Sequence, residues 1–130
     1  ASLFICIFGG NSETRVFSKA DVGIPEVALF QKWYGAVTGN GPADTFAANA
    51  WAETALLVQA IAEAGPDLTR TKVLAELSKI HSFDDNGFYA KSDPADKGEG
   101  NCYIVWEIKN GEYTRVDDPG LGFRCNGKQV

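Results

Sequence analysis

The sequence predicts an α/β fold, with a strand, three helices and a C-terminal β-hairpin, that is part of a larger body. From Phe46 to Gly65 the chain reads as one helix with apolar side chains almost all round. A helix with so narrow a polar face must be covered on most sides, which a domain of 130 residues rarely achieves alone. Two β-rich runs also flank Asn110-Gly111, a pair typical of a two-residue hairpin turn.

The composition is that of an ordered globular domain. Hydrophobic residues make up 45% of the chain and charged residues 22%, so extensive disorder is not expected. The net charge of −5 argues against a nucleic-acid partner, because binding to phosphates requires clustered Lys and Arg. No apolar run is long enough for a membrane span.

The first predicted element is a buried strand from Ser2 to Phe8, within a segment 1–10. Cys6 lies in this apolar run, and we interpret it as a buried thiol. The chain enters the strand at once, without an initiator Met or a signal peptide. We therefore expect the sequence to be an excised or processed portion of a longer protein.

Helices are predicted in the segment 24–81. Pro25 suits the first turn of a helix, and the Gly39-to-Pro42 run ends that helix. Its predicted apolar face is Val27, Phe30, Tyr34 and Val37, widened by Leu29 and Trp33. After the long apolar helix, Thr69 is the predicted cap of a short third helix. The apolar face of this helix is Val73, Leu74, Leu77 and Ile80.

The segment 82–130 is predicted to hold a turn at Asp84 to Gly87, the hairpin and a turn-rich tail with two cysteines. We prefer a disulfide between Cys102 and Cys125 to two free thiols, which implies an oxidising compartment. No Cys or His pair has the spacing of a zinc site, so neither a metal nor a cofactor is expected.

The order of these elements resembles the last third of the type I solute-binding proteins of ABC importers, in the branched-chain amino acid (leucine/isoleucine/valine) binding family. The ordered series of matching segments carries the resemblance. They are Pro25 to Tyr34, Ala48 to Leu56, Leu68 to Arg70, Phe83 to Gly87, Cys102 to Gly111, and Val116 to Cys125. They extend over nearly the whole chain but over only part of the usual length of the family.

The resemblance implies a partial type I periplasmic-binding-protein fold, the C-terminal portion of a protein whose two lobes close over a small ligand. Segment 1–10 would lie near the hinge, 24–81 in the first lobe, and 82–130 would lead towards the second lobe. The implied function is extracytoplasmic capture of an amino acid or a similar small polar molecule. The implied partner is the membrane permease of an ABC importer, and the implied location is the periplasm or the cell surface, where the full-length protein could carry a lipid anchor. Apolar faces left uncovered would favour self-association.

The resemblance suggests two ligand-binding residues at the start of the long helix. Phe46 occupies a position where family members place an aromatic or apolar side chain at the ligand's tail. The alternative is a core or staple aromatic. Asn49 lies one turn later and could face the cleft, although a solvated helix residue is the simpler interpretation. We interpret Trp51 as a core residue, on one face with Ala55 and Val58.

Two other functional classes remain as alternatives. An amino-acid- or amide-sensing regulator would use the same fold without transport. A carboxylate-based hydrolase would rely on Asp84, Asp85 or Asp93, but the sequence shows no recognisable base, nucleophile or metal cluster beside them. We interpret these carboxylates as turn residues and His81 as a solvated residue beyond a helix end. We therefore expect no enzymatic activity.

Overall fold

A computed structural model describes residues 14–15, 19–41, 43–97, 102–109, 112–116 and 122–125 of the chain. A short 3₁₀ helix, Lys19–Gly23, precedes α1 (Pro25–Thr38), α2 (Thr45–Ala64) and α3 (Arg70–Leu77). Two strands follow, β1 (Trp106–Lys109) and β2 (Glu112–Arg115). The three predicted helices and the hairpin are thus confirmed. The predicted strand at Ser2 to Phe8 and the buried thiol of Cys6 lie outside the described residues.

The ends of α1 follow from its sequence. Pro25 occupies the first turn, where its missing N–H is not needed and its fixed φ suits the helix. Gly39 ends the helix in the left-handed conformation, with φ 66°, and its N–H donates to the carbonyl oxygen of Gly35. Glycine adopts this conformation without the steric cost of a Cβ, so the predicted stop at Gly39 is confirmed.

The long helix α2 begins and ends within one residue of the predicted limits. The side chain of Asp44 accepts a 2.7 Å hydrogen bond from the N–H of Ala47, which satisfies one of the free donors of the first turn. Gly65 follows the last helical residue with φ 75°, and Pro66 cannot continue the helix. The short helix α3 is capped in the same way, by the Thr69 hydroxyl accepting from the N–H of Lys72 at 3.2 Å.

An aromatic and aliphatic core lies between α1, α2 and the segment that follows α3. The ring of Phe30 lies 5.2 Å from that of Phe88 and 5.6 Å from that of Trp51, which it meets edge-on. This edge-to-face geometry is favoured by the aromatic quadrupole. The buried members of the cluster that α2 contributes are the small side chains of Ala48 and Ala52, against which the partly buried Trp51 packs, and Val27 completes the cluster.

Several apolar side chains that the sequence places on buried faces are exposed in the structure. Val37 is 85% exposed, because it lies in the last turn of α1, beyond the core that Val27 and Phe30 form. Leu57, Val58 and Ile61 leave one side of α2 exposed, so the described residues cover this helix only in part. All eight residues of α3 are described, and none of them is buried.

The hairpin has the register that a two-residue turn requires. Trp106 pairs with Arg115, and Lys109 pairs with Glu112 at the other end of the antiparallel pair. Two residues therefore connect the strands, as the sequence predicts, although the conformation of Asn110-Gly111 lies outside the described residues.

The tail is joined to the start of the hairpin region by covalent and hydrogen bonds. A disulfide links Cys102 to Cys125, so the predicted pairing is present in the structure. One residue inward from each cysteine, Tyr103 and Arg124 exchange backbone hydrogen bonds, with N···O distances of 2.7 and 2.9 Å. The cross-link thus fixes a short antiparallel contact between the tail and the segment that leads into β1.

A buried group of charges lies where the tail, the hairpin and the 3₁₀ helix meet. Oδ1 of Asp21 accepts hydrogen bonds from Nη1 of Arg115 at 3.0 Å and Nη1 of Arg15 at 3.2 Å. Arg115 also donates to the carbonyl oxygen of Gly122, and the Arg15 guanidinium lies 4.6 Å from the centre of the Phe123 ring. We call Arg15, Asp21 and Arg115 the ion cluster.

Candidate ligand-binding site

The first turns of α2 position the two side chains that the sequence nominates for ligand binding. Phe46 and Asn49 are three residues apart in a regular helix, so they lie on neighbouring positions of one side. The Asp44 cap holds the first turn of this helix in place. The structure therefore brings the two predicted residues together on one rigid element.

Phe46 is 80% exposed. A core or staple aromatic would be covered by the protein, so this alternative is wrong for the described part of the chain. An aromatic ring left in water at the start of a capped helix has apolar area available for contact with another molecule. The ligand contact itself stays a prediction.

Asn49 is partly buried, and its Oδ1 atom lies out of contact with water. This oxygen finds no hydrogen-bond partner among the described residues. The interpretation of Asn49 as a solvated helix residue is therefore wrong for its acceptor atom. A buried acceptor without a donor costs free energy. The oxygen is therefore a candidate to accept a hydrogen bond from another molecule.

Trp51 is partly buried and packs against the core cluster, as the sequence predicts. Its indole Nε1 donates a 2.8 Å hydrogen bond to Oε1 of Glu26, so the side chain also ties α2 to the first turn of α1. Val58 lies two turns farther along the same side of α2 but is exposed, so the core that covers Trp51 does not extend to Val58.

Glu26 is the residue that the sequence analysis missed. Besides the indole of Trp51, it faces the Nδ2 atom of Asn86, which lies 3.4 Å from Oε2. Acidic residues are common in the first turn of a helix because they interact favourably with its dipole. An acidic residue at this position therefore gave no signal of contacts with distant residues. The neighbouring Asp85 is buried, and its burial, followed by the charges of Glu26 and Asp84, raises its pKa to about 6.

The carboxylates of the hydrolase alternative do not form one site. Asp85 is buried beside Glu26, whereas Asp93 is hydrogen-bonded to His81, with Oδ2 and Nδ1 3.1 Å apart. His81 is exposed beyond the end of α3, as predicted, and its hydrogen bond is the main cause of the lowered pKa of Asp93. In the part of the chain that the structure describes, no three His, Cys, Asp or Glu side chains are grouped so as to hold a metal ion.

None of the described helices is both long and apolar enough to cross a membrane. A comparison with curated proteins and a comparison with solved structures gave no match. A family model described as periplasmic binding protein matches residues 14–112, a stretch that includes all three helices, β1 and the first residue of β2. The family is typically non-enzymatic, and it implies a small-molecule ligand and an extracytoplasmic location. Because the match extends over more than half of the 130 residues, the chain belongs to the periplasmic binding protein family.

Proposed function

We propose that this chain is the C-terminal portion of the extracytoplasmic solute-binding component of an ABC importer. Its ligand is an amino acid or a similarly small polar molecule, held between two lobes. Residues 24–81 form the helical part of the first lobe, with 1–10 near the hinge and 82–130 leading towards the second lobe. Ligand capture is by lobe closure, without chemistry.

The observation that carries this proposal is the exposed ring of Phe46 in a chain of this family. The ring is 80% exposed on a helix whose other side packs into the core. The helix therefore holds the ring in place, while most of the surface of the ring stays free for contact with a ligand. A ligand with an apolar tail would cover this ring on binding. Covering a large aromatic side chain is worth about 1–3 kcal/mol.

The test is ligand affinity in the full-length protein, measured by calorimetry with leucine, valine and a broad amino-acid panel. Phe46→Ala should weaken binding by about 1–3 kcal/mol and change the stability of the unliganded protein by less than that. Val58→Ala is the matched control, because Val58 is an exposed apolar residue farther along the same helix. Equal affinity in wild type and Phe46→Ala would remove Phe46 from the site.

Asn49 supports the same site through its unpartnered oxygen. We propose that movement of the lobes uncovers this oxygen, which then accepts a hydrogen bond from an N–H group of the ligand. Asn49→Ala should then lower affinity by about 1 kcal/mol while leaving the unliganded protein as stable as before, since the substitution removes a buried unsatisfied group. Loss of stability without loss of affinity would show that Asn49 has a structural partner instead.

The proposed partner is the membrane permease of the importer. A lipoprotein signal in the precursor would show that the full-length protein is lipid-anchored. The exposed apolar residues Leu57, Val58 and Ile61 on α2 support self-association of the isolated chain as a further proposal. Sedimentation at rising concentration tests this point. A monomer at all concentrations would contradict it.

A further inference from the structure

The turn between α3 and the hairpin has an unusual backbone. Asp85, Asn86 and Gly87 follow one another with φ values of 47°, 54° and 84°. Positive φ is costly for residues that carry a Cβ, although Asp and Asn tolerate it better than most. Three hydrogen bonds hold the turn, from the N–H groups of Gly87 and Tyr89 to Asp84 and from that of Phe88 to Asp85.

This turn packs against the start of α1. A Cβ placed on Gly87 would lie 3.8 Å from Cγ2 of Ile24, the residue that precedes the helix. From the first turn of α1, Glu26 accepts from Trp51 at 2.8 Å and faces the Asn86 amide at 3.4 Å. The contact therefore joins the turn, α1 and α2 through one carboxylate.

Among the ion pairs of the described residues, none joins a basic side chain to Asp85. Asp85 is 6% exposed, and its Oδ2 atom has no hydrogen-bond partner in the described part of the chain. The charged groups that act on it are Glu26 on α1 and Asp84 in the turn, and both are carboxylates. Ionised Asp85 is thus a buried negative charge beside two others, which is unfavourable.

We propose that the turn at 84–88 is a proton-operated latch, which is held against α1 when the Asp85 carboxyl is protonated and loosened when it ionises. Protonation makes the buried Asp85 carboxyl neutral. This removes its repulsion with Glu26 and Asp84 and the cost of burying its charge. The latch is independent of the proposed ligand site, since none of its residues belongs to that site.

The latch holds more than its own loop. Phe88, at its end, is fully buried against Phe30 in the core. The carbonyl oxygen of Phe88 accepts a 3.0 Å hydrogen bond from the N–H of Arg15, and Tyr89 forms a bridge with Thr14. Arg15 is also a member of the ion cluster. Loosening of the turn would therefore also weaken the contacts of the hairpin and the tail with the rest of the chain.

The direction of the pH effect follows from the sign of the shift. Burial, then Glu26 and then Asp84, raise the pKa of Asp85 from 3.8 to about 6. Stability from protonated Asp85 is therefore fully present below pH 3.8 and is lost as the pH rises through 6. Asp93 has a lowered pKa, so its contribution is present above 3.8 and is lost only under more acidic conditions.

The experiment is urea unfolding of the full chain at pH 5 and pH 7.5, followed by tryptophan fluorescence. In the wild type, the folding equilibrium constant should fall by about 10-fold or more between these two values. Asp85→Asn should abolish most of this fall and should fold well, because Asn suits positive φ. Asp67→Asn is the matched control, because Asp67 is an exposed carboxylate outside the turn and the change of charge is the same; it should keep the fall.

Glu26→Gln gives an independent second variant, since it removes the largest opposing charge while keeping a hydrogen-bond acceptor for Trp51. It should reduce the fall without abolishing it. Hydrogen exchange locates the effect, with the amides of Gly87 and Tyr89 losing protection at pH 7.5 before those of α2. A wild-type fall that persists in full in Asp85→Asn, or equal loss of protection throughout α2, would overturn the latch.

Discussion

The helical region, residues 24–97, and the hairpin–tail region, residues 102–125, are stabilised by different interactions. The helical region has a core of apolar side chains from three segments, with Phe30 and Phe88 fully or almost fully buried at its centre. The hairpin–tail region buries Cys102 and Ile104, and its described contacts include a disulfide, a four-residue strand pair and the ion cluster around Asp21. The helical region shows a shared apolar core, whereas the hairpin–tail region adds a covalent cross-link and buried ion pairs.

The difference shows that a cross-link and a cluster of buried charges can hold a region together beside apolar packing. Small structures that cannot bury enough surface commonly use cross-links, because constraint of the unfolded chain replaces part of the missing packing. Buried charge pairs act differently, since they contribute little net stability but make the loss of one partner very costly. The two regions should therefore respond differently to the same kinds of change.

The largest effect is expected in the apolar core. Phe30→Ala removes a ring that contacts both Phe88 and Trp51, and it should lower the free energy of unfolding by about 3–5 kcal/mol. Val37→Ala is the control, because Val37 lies on the same helix but is exposed, and it should cost less than about 0.5 kcal/mol. Urea denaturation measures both. Similar losses would show that α1 is covered by something outside the described residues.

An effect of similar size is expected in the ion cluster. Asp21→Ala removes the shared acceptor of the buried Arg115 guanidinium and the partly buried Arg15 guanidinium, which should cost about 3–5 kcal/mol. Because the cluster is buried, added salt should change this loss only slightly. The exposed pair of Lys79 and Glu76 offers a comparison, and Glu76→Ala should cost about 0.5 kcal/mol or less. A loss below about 1 kcal/mol for Asp21→Ala would show that water reaches the cluster.

The disulfide should contribute about 3 kcal/mol. Its cysteines are 23 residues apart, and closing a loop of this length removes that much entropy from the unfolded chain on the loop-closure model. Replacement of Cys102 and Cys125 by Ser should also release the amides of Tyr103 and Arg124 to hydrogen exchange, while α2 stays protected. A thiol count on the unreduced, denatured wild type should find one free thiol, at Cys6. Three free thiols would contradict the pairing and weaken the case for an oxidising compartment.

The helices, the hairpin and their ends were predictable because each depends on local chemistry. Pro25, Gly39, Asp44 and Gly65 act within one or two turns of their own position, so the sequence around them is sufficient. Exposure was harder to predict, as Val37 and Val58 show, because periodicity identifies an apolar face but not whether a neighbour covers it.

The candidate site shows the same limit. Phe46 could be nominated from its place before an apolar helix, but its exposure could not be known from the sequence. The contacts of Glu26 with Trp51 and Asn86 span 25 and 60 residues, and the ion pair of Asp21 with Arg115 spans 94. No rule of sequence spacing predicts contacts between residues so far apart, so these contacts could be identified only in the structure.

The smallest predicted effect compares the helix caps. The Asp44 carboxylate accepts from Ala47, one residue before Ala48, which is fully buried in the core. Fraying of this turn would therefore uncover part of the core, and Asp44→Ala should cost about 1 kcal/mol of unfolding free energy.

Thr69 caps α3 with the same geometry, its hydroxyl accepting from the N–H of Lys72. None of the eight residues of α3, all of them described, is buried, so this helix can fray at its start without opening the core. Thr69→Ala should thus shift the urea midpoint by less than half as much as Asp44→Ala, while increasing hydrogen exchange within α3. Equal shifts would mean that α3 is coupled to the core as tightly as α2, and that stability in the helical region is shared more evenly than its burial indicates.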